Sequence, residues 1–556
     1  MNLIIFLSSY FIITTSLIGY GSVLQKILNK KLELEFEFNL LGSILFLIVL
    51  SFSTHFFFSH NYLHNGIVII LGFIFFLITI IKNKRLLNKY SKYFILIFSV
   101  LIFGLMISKT HDDFSYYHFP YTYYLTQENL MIGTGILNHG FRTPSSIFYL
   151  NSIFYLPYIK YFSFNIGATL LLGVSNLILI FKLIKDYENK RYDFVFLLTL
   201  FSFLFINVFF YRISEHGTDR SAQILILILF IEILSLLRNK IILSNFFSKI
   251  FILLGIIISL KAFYVLYLLT LIPVLVFFKK QKIKYLIKTC YENFYFYLFI
   301  LVGLLLMMVN IFNSGCLLYP VEFTCFTNLE WSLKDQAKIM NDWYEQWSKA
   351  GAGPNFRVED PGNYIQGFNW VSNWIDKYFF NKVSDFISGI IFLIAIIFLT
   401  FYSKKYKKIK IDNKIYGVYA ILIVLIIEWF YHHPSLRYGG FSLIALIFFI
   451  PVSIYISRFQ LEKNLKKKIF ILITCSLIIF IARNTNRIYK EVNQYNYDLI
   501  NKPFYSVEEN YFKIDNFMKE IKKNYDNCKN VSSPDCNIYN GIKIKEKNNY
   551  FFLIRK

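Results

Sequence analysis

Apolar stretches of about 17 to 23 residues, nearly free of charge, alternate with polar connections along almost the whole chain. That length fits a helix crossing a hydrocarbon core, whereas a transmembrane barrel would show alternating segments of roughly ten residues. The pattern predicts spans near 2–24, 39–58, 66–81, 93–108, 166–184, 193–210, 221–237, 250–260, 262–278, 292–313, 386–402, 416–431, 441–457 and 469–483. The fold class expected is an all-α polytopic integral membrane protein of about 14 transmembrane helices. Two of them meet at Lys261.

Composition reinforces the pattern. With 56% hydrophobic residues, 63 Phe, 42 Tyr and a mean hydropathy of +0.49, the 556 residues carry more apolar surface than one water-soluble core can hide. The rich use of Ile, Lys, Asn, Phe and Tyr is also that of an A+T-rich genome, which contributes to the net charge of +24. The placement of charge says more than its sum. Lys and Arg load alternate connections: Lys82, Lys84, Arg85, Lys89 and Lys92; Lys279, Lys280, Lys282, Lys284 and Lys288; Lys404, Lys405, Lys407, Lys408, Lys410 and Lys414; Lys463, Lys466, Lys467 and Lys468. By the positive-inside rule these are cytoplasmic. Parity then puts the N-terminus, 59–65, 109–165, 211–220, 314–385, 432–440 and the tail 484–556 outside. The first apolar segment lacks a basic leader and a cleavage site, and reads as a retained span.

Cysteines follow the same division. Cys316 and Cys325 fall in the long outer loop and Cys528 and Cys536 in the tail, while Cys290 and Cys475 stand singly at the inner face and in a span. Close pairs only on the outer side predict two disulfides, Cys316–Cys325 and Cys528–Cys536, where the compartment oxidises. Without oxidising machinery the four would be free thiols. Their spacing does not suit zinc, and no metal or cofactor is expected.

Candidate chemistry gathers at the outer ends of the spans in four places: Asp112 and Asp113 with His118; Glu215, His216, Asp219 and Arg220; Lys261; and His433, Arg437 and Tyr438. Charge beside or within a span is costly and is usually kept for a pathway, a substrate or a partner. Each has a plain structural alternative. An aspartate can cap a helix, Lys261 can snorkel, Arg437 can meet lipid headgroups, and Asp219 can pair with Arg220.

The acidic pair, the aromatic stretch 114–125, Gly133 and Gly135, and Asn138-His139-Gly140-Phe141-Arg142-Thr143-Pro144 together resemble the first outer loop of GT-C glycosyltransferases. The protein O-mannosyltransferase and aminoarabinose transferase type is the most similar. Ser259-Leu260-Lys261 resembles their lysine-bearing hinge, and Leu436-Arg437-Tyr438 their late Arg-Tyr. Four spans precede the acidic loop where the type enzymes have one, Pro144 stands alone, and Gly439-Gly440 replaces a proline pair. The resemblance implies a GT-C-like membrane core with interfacial helices on the outer face. It implies transfer of a sugar from a polyprenyl-phosphate donor to a glycan, lipid or protein acceptor, with Asp112 or Asp113 as base. Substrate contacts would come from His118, Arg142, His216, Asp219, Arg220, Lys261, His433, Arg437 and Tyr438. The expected organisation is N-terminal helices 1–92, a core 93–313 with the outer loop 109–165, a large outer loop 314–385, helices 386–483 and a small outer tail 484–556. The setting implied is a bacterial cytoplasmic membrane with the active face outward.

Two other readings fit the same topology. An O-antigen polymerase or ligase would use Arg and His of the large outer loop, such as Arg357. A lipid-linked oligosaccharide transporter would place its charges at mid-membrane, where the chain is almost bare: Glu232 lies nearer the inner end of its span and Glu428 about one turn from the outer end.

Overall fold

The computed structural model describes residues 2–28, 34–82, 84–107, 110–238, 242–278, 283–353, 358–408, 412–461, 464–495, 498, 500–501, 504–528 and 538–555, the side chains of 84–89, 216 and 283 excepted. Four helices open the chain: α1 (Leu3–Leu28), α2 (Phe36–His55), α3 (Tyr62–Lys82) and α4 (Lys84–Leu105). The loop that follows carries α5 (Phe119–Gln127) and α6 (Ser146–Ser152). The central helices are α7 (Ile166–Glu188), α8 (Phe194–Phe209), α9 (Ile213–Ser235) and α10 (Leu243–Leu260). After Lys261 a tight 3-10 turn, Ala262–Thr270, runs into α11 (Leu271–Phe277), then α12 (Ile283–Tyr291) and α13 (Phe294–Ser314). A long connection holds α14 (Lys334–Lys349), α15 (Pro361–Tyr364) and α16 (Val371–Trp374). The chain continues through α17 (Ser384–Phe401), α18 (Ile415–His432), α19 (Gly440–Ile456) and α20 (Leu465–Tyr495), and its tail begins with α21 (Lys513–Cys528).

Among the described residues eight helices are long and apolar enough to cross a membrane, and four shorter apolar helices accompany them. The chain is a multi-pass membrane protein. Burial sorts the helices into centre and periphery. The apolar window of α7 is 94% buried, against 28% in α3 and α18. A helix apolar on every side belongs in the interior, and one with large exposed aliphatic side chains meets lipid. Ile70, Ile74 and Ile81 on α3 and Leu304 and Met308 on α13 are of the second kind. Between α1 and α3 the approach is closest: a Cβ on Gly19 would lie 1.9 Å from the Gly72 carbonyl oxygen. Two backbones can pack this closely in a membrane only where side chains are absent.

Three expectations change. The span expected at 250–260 is the full helix α10, and the break comes at Lys261, whose backbone is extended (φ −160°, ψ 133°). The last span, expected at 469–483, belongs to a 31-residue helix that carries Arg487 and Glu491 well past the apolar run. The tail, expected only as a small segment over 484–556, forms α21 at Lys513–Cys528 and adds an antiparallel sheet of β1 (Ile538–Tyr539), β2 (Ile542–Lys547) and β3 (Tyr550–Arg555), in that order. Leu553 and Ile544 face each other in its register and are buried. The sheet docks on the loop after α5, where Ile132 N–H donates to the Phe551 carbonyl and Leu553 N–H to that of Ile132, both at 2.8 Å. Gly133, at φ +86°, makes room for this contact, since a Cβ there would lie 2.1 Å from the Leu553 carbonyl oxygen.

Cys316 and Cys325 form a disulfide. Cys528 ends α21, and Cys536 lies outside the described residues. Cys290 and Cys475 are free.

Candidate functional site

Four segments far apart in sequence meet at one end of the bundle through charge. Arg437 follows α18 in a short 3-10 turn, Leu436–Tyr438. Its Nη2 lies 2.5 Å from Asp113 Oδ2, and its Nε donates to Asp219 Oδ2 at 2.9 Å. The other oxygen of Asp219 meets Lys261 Nζ at 2.9 Å. The result is a line of alternating charge: Asp113, Arg437, Asp219, Lys261. Asp219 is 2% exposed, whereas Arg437 and Lys261 are 28% and 31% exposed, so the carboxylate is the buried hub and the cations open outward. Burying such a hub is tolerable only because two cations and their hydrogen bonds compensate its lost hydration. Lys261 also lies 4.3 Å above the Tyr438 ring, and Tyr117 Oη stands 3.5 Å from Arg437 Nη2.

Local structure explains how each group is aimed. The break after α10 turns Lys261 toward α9. The segment 434–436 is fastened by Trp374 and Trp429, whose indole N–H groups donate to the carbonyls of Pro434 and Ser435 at 2.8 Å, and by the Leu436 N–H, which donates to Tyr378 Oη. Gln223 donates to the Arg437 carbonyl at 2.8 Å and accepts from the Ser442 N–H at 3.2 Å. Gly439 starts α19 in the left-handed region (φ +105°), and a Cβ on Gly440 would lie 2.6 Å from the Trp429 ring. Those contacts give the glycine pair a packing reason that a proline pair could not satisfy.

The two aspartates separate sharply. Asp113 is in the network, while Asp112 is exposed, its carbonyl accepting from Ser115. Burial alone would push the Asp113 carboxyl up, but the charge of Arg437, helped by His118 and His111, outweighs it and holds the group at about 2. His118 goes the other way: burial drives its imidazole down to about 3, against the pull of Asp113. Its Nε2 is buried with no hydrogen-bond partner among the described residues. His433, beside Tyr438, is likewise lowered by burial, to about 4.

Other expected substrate contacts are spent elsewhere. Arg142 donates to the Gly135 carbonyl at 3.1 Å, to Tyr319 Oη at 2.8 Å and to Gln336 Oε1 at 2.9 Å. That uses Nε and both terminal nitrogens to tie the loop between α4 and α7 to the connection after α13. Arg220 lies over the rings of Phe210 and Phe441. The side chain of His216, and Arg357 altogether, lie outside the described residues. Among the described residues no three His, Cys, Asp or Glu side chains are grouped to hold a metal ion.

Gln223 and Tyr264, whose hydroxyl donates to the Asp219 carbonyl at 3.3 Å, complete the site without having been anticipated, and Tyr117 joins them from the aromatic stretch 114–125. Gln223 was legible in principle, one helical turn after Asp219 on the same face. Above the charges runs an aromatic wall. Trp343 and Tyr344 of α14 approach His139, which Tyr116 contacts at 3.3 Å, and Trp347 approaches Tyr438. The amphipathic helix α14 therefore lies across the site.

The chain matches a family described as Domain of unknown function (DUF8201) over residues 1–444, which spans all of α1 to α18 and every member of the charge line. It belongs to the DUF8201 family. No curated protein and no solved structure matches it. In this DUF8201 chain the matched region ends within α19, so the long helix α20 and the tail lie beyond it.

Proposed function

We propose that this chain is a GT-C type glycosyltransferase. It would move a sugar from a polyprenyl-phosphate donor to a cell-envelope acceptor, at the outer face of a bacterial cytoplasmic membrane that its helices cross about 14 times. The observation that carries the reading is the meeting of Asp113, Arg437, Asp219 and Lys261 in one line of contacts. A base and a phosphate site must lie within a few ångströms of each other to serve one displacement.

In the transfer, an acceptor hydroxyl or amine attacks the anomeric carbon, the bond from that carbon to the phosphate oxygen breaks, and the phosphate leaves with the electron pair. Asp113 takes the acceptor proton. Arg437 commits Nε and Nη2 to the two carboxylates, and Nη1 has no partner among the described residues. Nη1 and the exposed side of Lys261 are the donors left for the phosphate, where charge grows as the bond breaks. A carboxyl held at about 2 is a weak base. When phosphate competes for Arg437, the grip on Asp113 loosens and its basicity rises, so donor binding itself readies the base. Trp343, Trp347 and Tyr116 supply flat apolar faces for a sugar ring.

The test is transfer by the purified chain from a synthetic polyprenyl-phosphate sugar, compared with Asp113→Asn and Arg437→Lys. Loss of about 100-fold or more in Asp113→Asn supports the base. Arg437→Lys keeps charge but not the guanidinium fork, and should raise the donor KM. Unchanged surface glycans in an Asp113→Asn, Asp219→Asn strain, where a gene deletion alters them, would leave transport or scaffolding as the reading.

A further inference from the structure

The helices that carry Asp219 and Lys261 hold a second ion network at their opposite ends. Glu232 of α9 meets Lys182 of α7 at 2.6 Å and Lys249 of α10 at 3.4 Å. Lys249 also reaches Glu35, just before α2, at 3.0 Å, and Lys185 approaches the same carboxylate at 3.2 Å. Arg238 joins Asp186 at 2.7 Å and Asp193 at 2.5 Å. Stapling four helices together requires no empty space, because bridges of this kind close on themselves. Here they surround a cavity of ≈ 230 Å³, room for about seven waters at ~30 Å³ each.

Two features give the cavity a preference. Its walls carry five cations, Arg191 being the fifth, and four carboxylates including Glu37, and Asp193, bridged to Arg238 beside the cavity, is a fifth carboxylate that balances them. Donors are also left over: Lys182 and Lys185 each make one side-chain hydrogen bond, and the Arg191 guanidinium makes none among the described residues. Beside this polar well stand Ile178, Phe181, Ile242 and Phe246, and Ile242 is exposed on the outside of the bundle. A charged well with an apolar flank at a membrane surface suits an amphiphile. Basic pockets between helices on the side of the basic loops are where anionic headgroups lodge.

We propose that this cavity binds the phosphodiester headgroup of a singly anionic glycerophospholipid, drawn from the leaflet on the side of the basic loops, with an acyl chain against the exposed Ile242. Lys185 and Arg191, exposed and with donors to spare, can hold one phosphodiester. The site is independent of the sugar-transfer reading, since it shares no residue with the outer charge line.

The experiment is native mass spectrometry of the purified full chain in detergent, titrated separately with phosphatidylglycerol, phosphatidylcholine and inorganic phosphate. One phosphatidylglycerol held more tightly than the rest is expected, with neither of the other two displacing it. Lys185→Ala with Arg191→Ala removes two exposed cations and should weaken it about 25-fold, at about fivefold per cation. Ser235→Trp fills the cavity without changing charge and should abolish the tight site while the protein still elutes as a monodisperse peak. A graded series of equally weak lipids, retention of phosphatidylcholine as strongly, competition by inorganic phosphate, or an unchanged tight site in both variants would each overturn the proposal.

Discussion

Asp112 and Asp113 share a peptide bond, and the fold gives them opposite environments: one in solvent, one against Arg437. The consequence is that they are not interchangeable. Asp113→Asn should abolish transfer, while Asp112→Asn should stay within about threefold of wild type, because an exposed carboxylate with no fixed partner among the described residues contributes little. Asp219→Asn should damage the fold itself, since it strips both Arg437 and Lys261 of their buried counter-charge. Removing one partner from a buried network costs about 3–5 kcal/mol, so the expected readout is a lowered thermal midpoint in Asp219→Asn and a near-native one in Asp113→Asn. Equal loss of stability in both would contradict the hub assigned to Asp219. His118 sets a pH dependence. Its pKa in the folded chain is depressed to about 3, so the stability of its neutral state is full above the unfolded value of about 6.5 and is lost as pH falls toward 3. His118→Phe should flatten the fall of the unfolding temperature over that window. An unchanged slope would place the proton elsewhere.

At the scale of elements, the loop between α4 and α7 and the connection after α13 are held together by ties that hydropathy does not display. Arg142 bridges the first loop to Tyr319 and Gln336, and the disulfide Cys316–Cys325 closes the small turn on which Tyr319 sits. Closing a loop of nine residues' separation is worth about 2–3 kcal/mol in the chain-entropy model. Limited proteolysis should therefore cut within 314–334 more readily in Arg142→Ala and in the Cys316→Ser, Cys325→Ser pair. Because both act on one contact set, the combined variant should show less than the sum of the two effects. Fully additive sensitivity would mean that the two ties are separate. The tail is an element of the same kind, fixed on Ile132 through β3 and on Thr110 through Tyr511, three residues before Asp113.

For the molecule as a whole, the two ion networks occupy opposite ends of α9 and α10, so orientation decides which compartment each one meets. Reporter fusions at Lys284 and Lys408 should read cytoplasmic and those at Asn138 and Gly541 external. A cytoplasmic Asn138 would turn the Asp113 site toward soluble nucleotide sugars and remove the lipid-linked donor from the proposal. Membrane class was legible from the sequence because the hydrocarbon core imposes a length and a charge rule that each segment obeys by itself. The break at Lys261 was legible for the same reason, as a charge interrupting an apolar run. The pairing of Cys316 with Cys325 followed from their nearness in the chain. What the sequence could not state was which charges face one another. Asp113 and Arg437 stand 324 positions apart, and only the packing of α9, α10 and α18 brings Asp219 between Arg437 and Lys261. The same packing sent Arg142 and Arg220 to structural contacts, although their side chains are chemically equal to Arg437. It also built the cavity around Glu232 from four segments that each read as an ordinary helix end. Hydrophobic patterning acts within one segment and so is written in the local sequence, whereas a charge pair buried between helices depends on distances that exist only once the helices have packed.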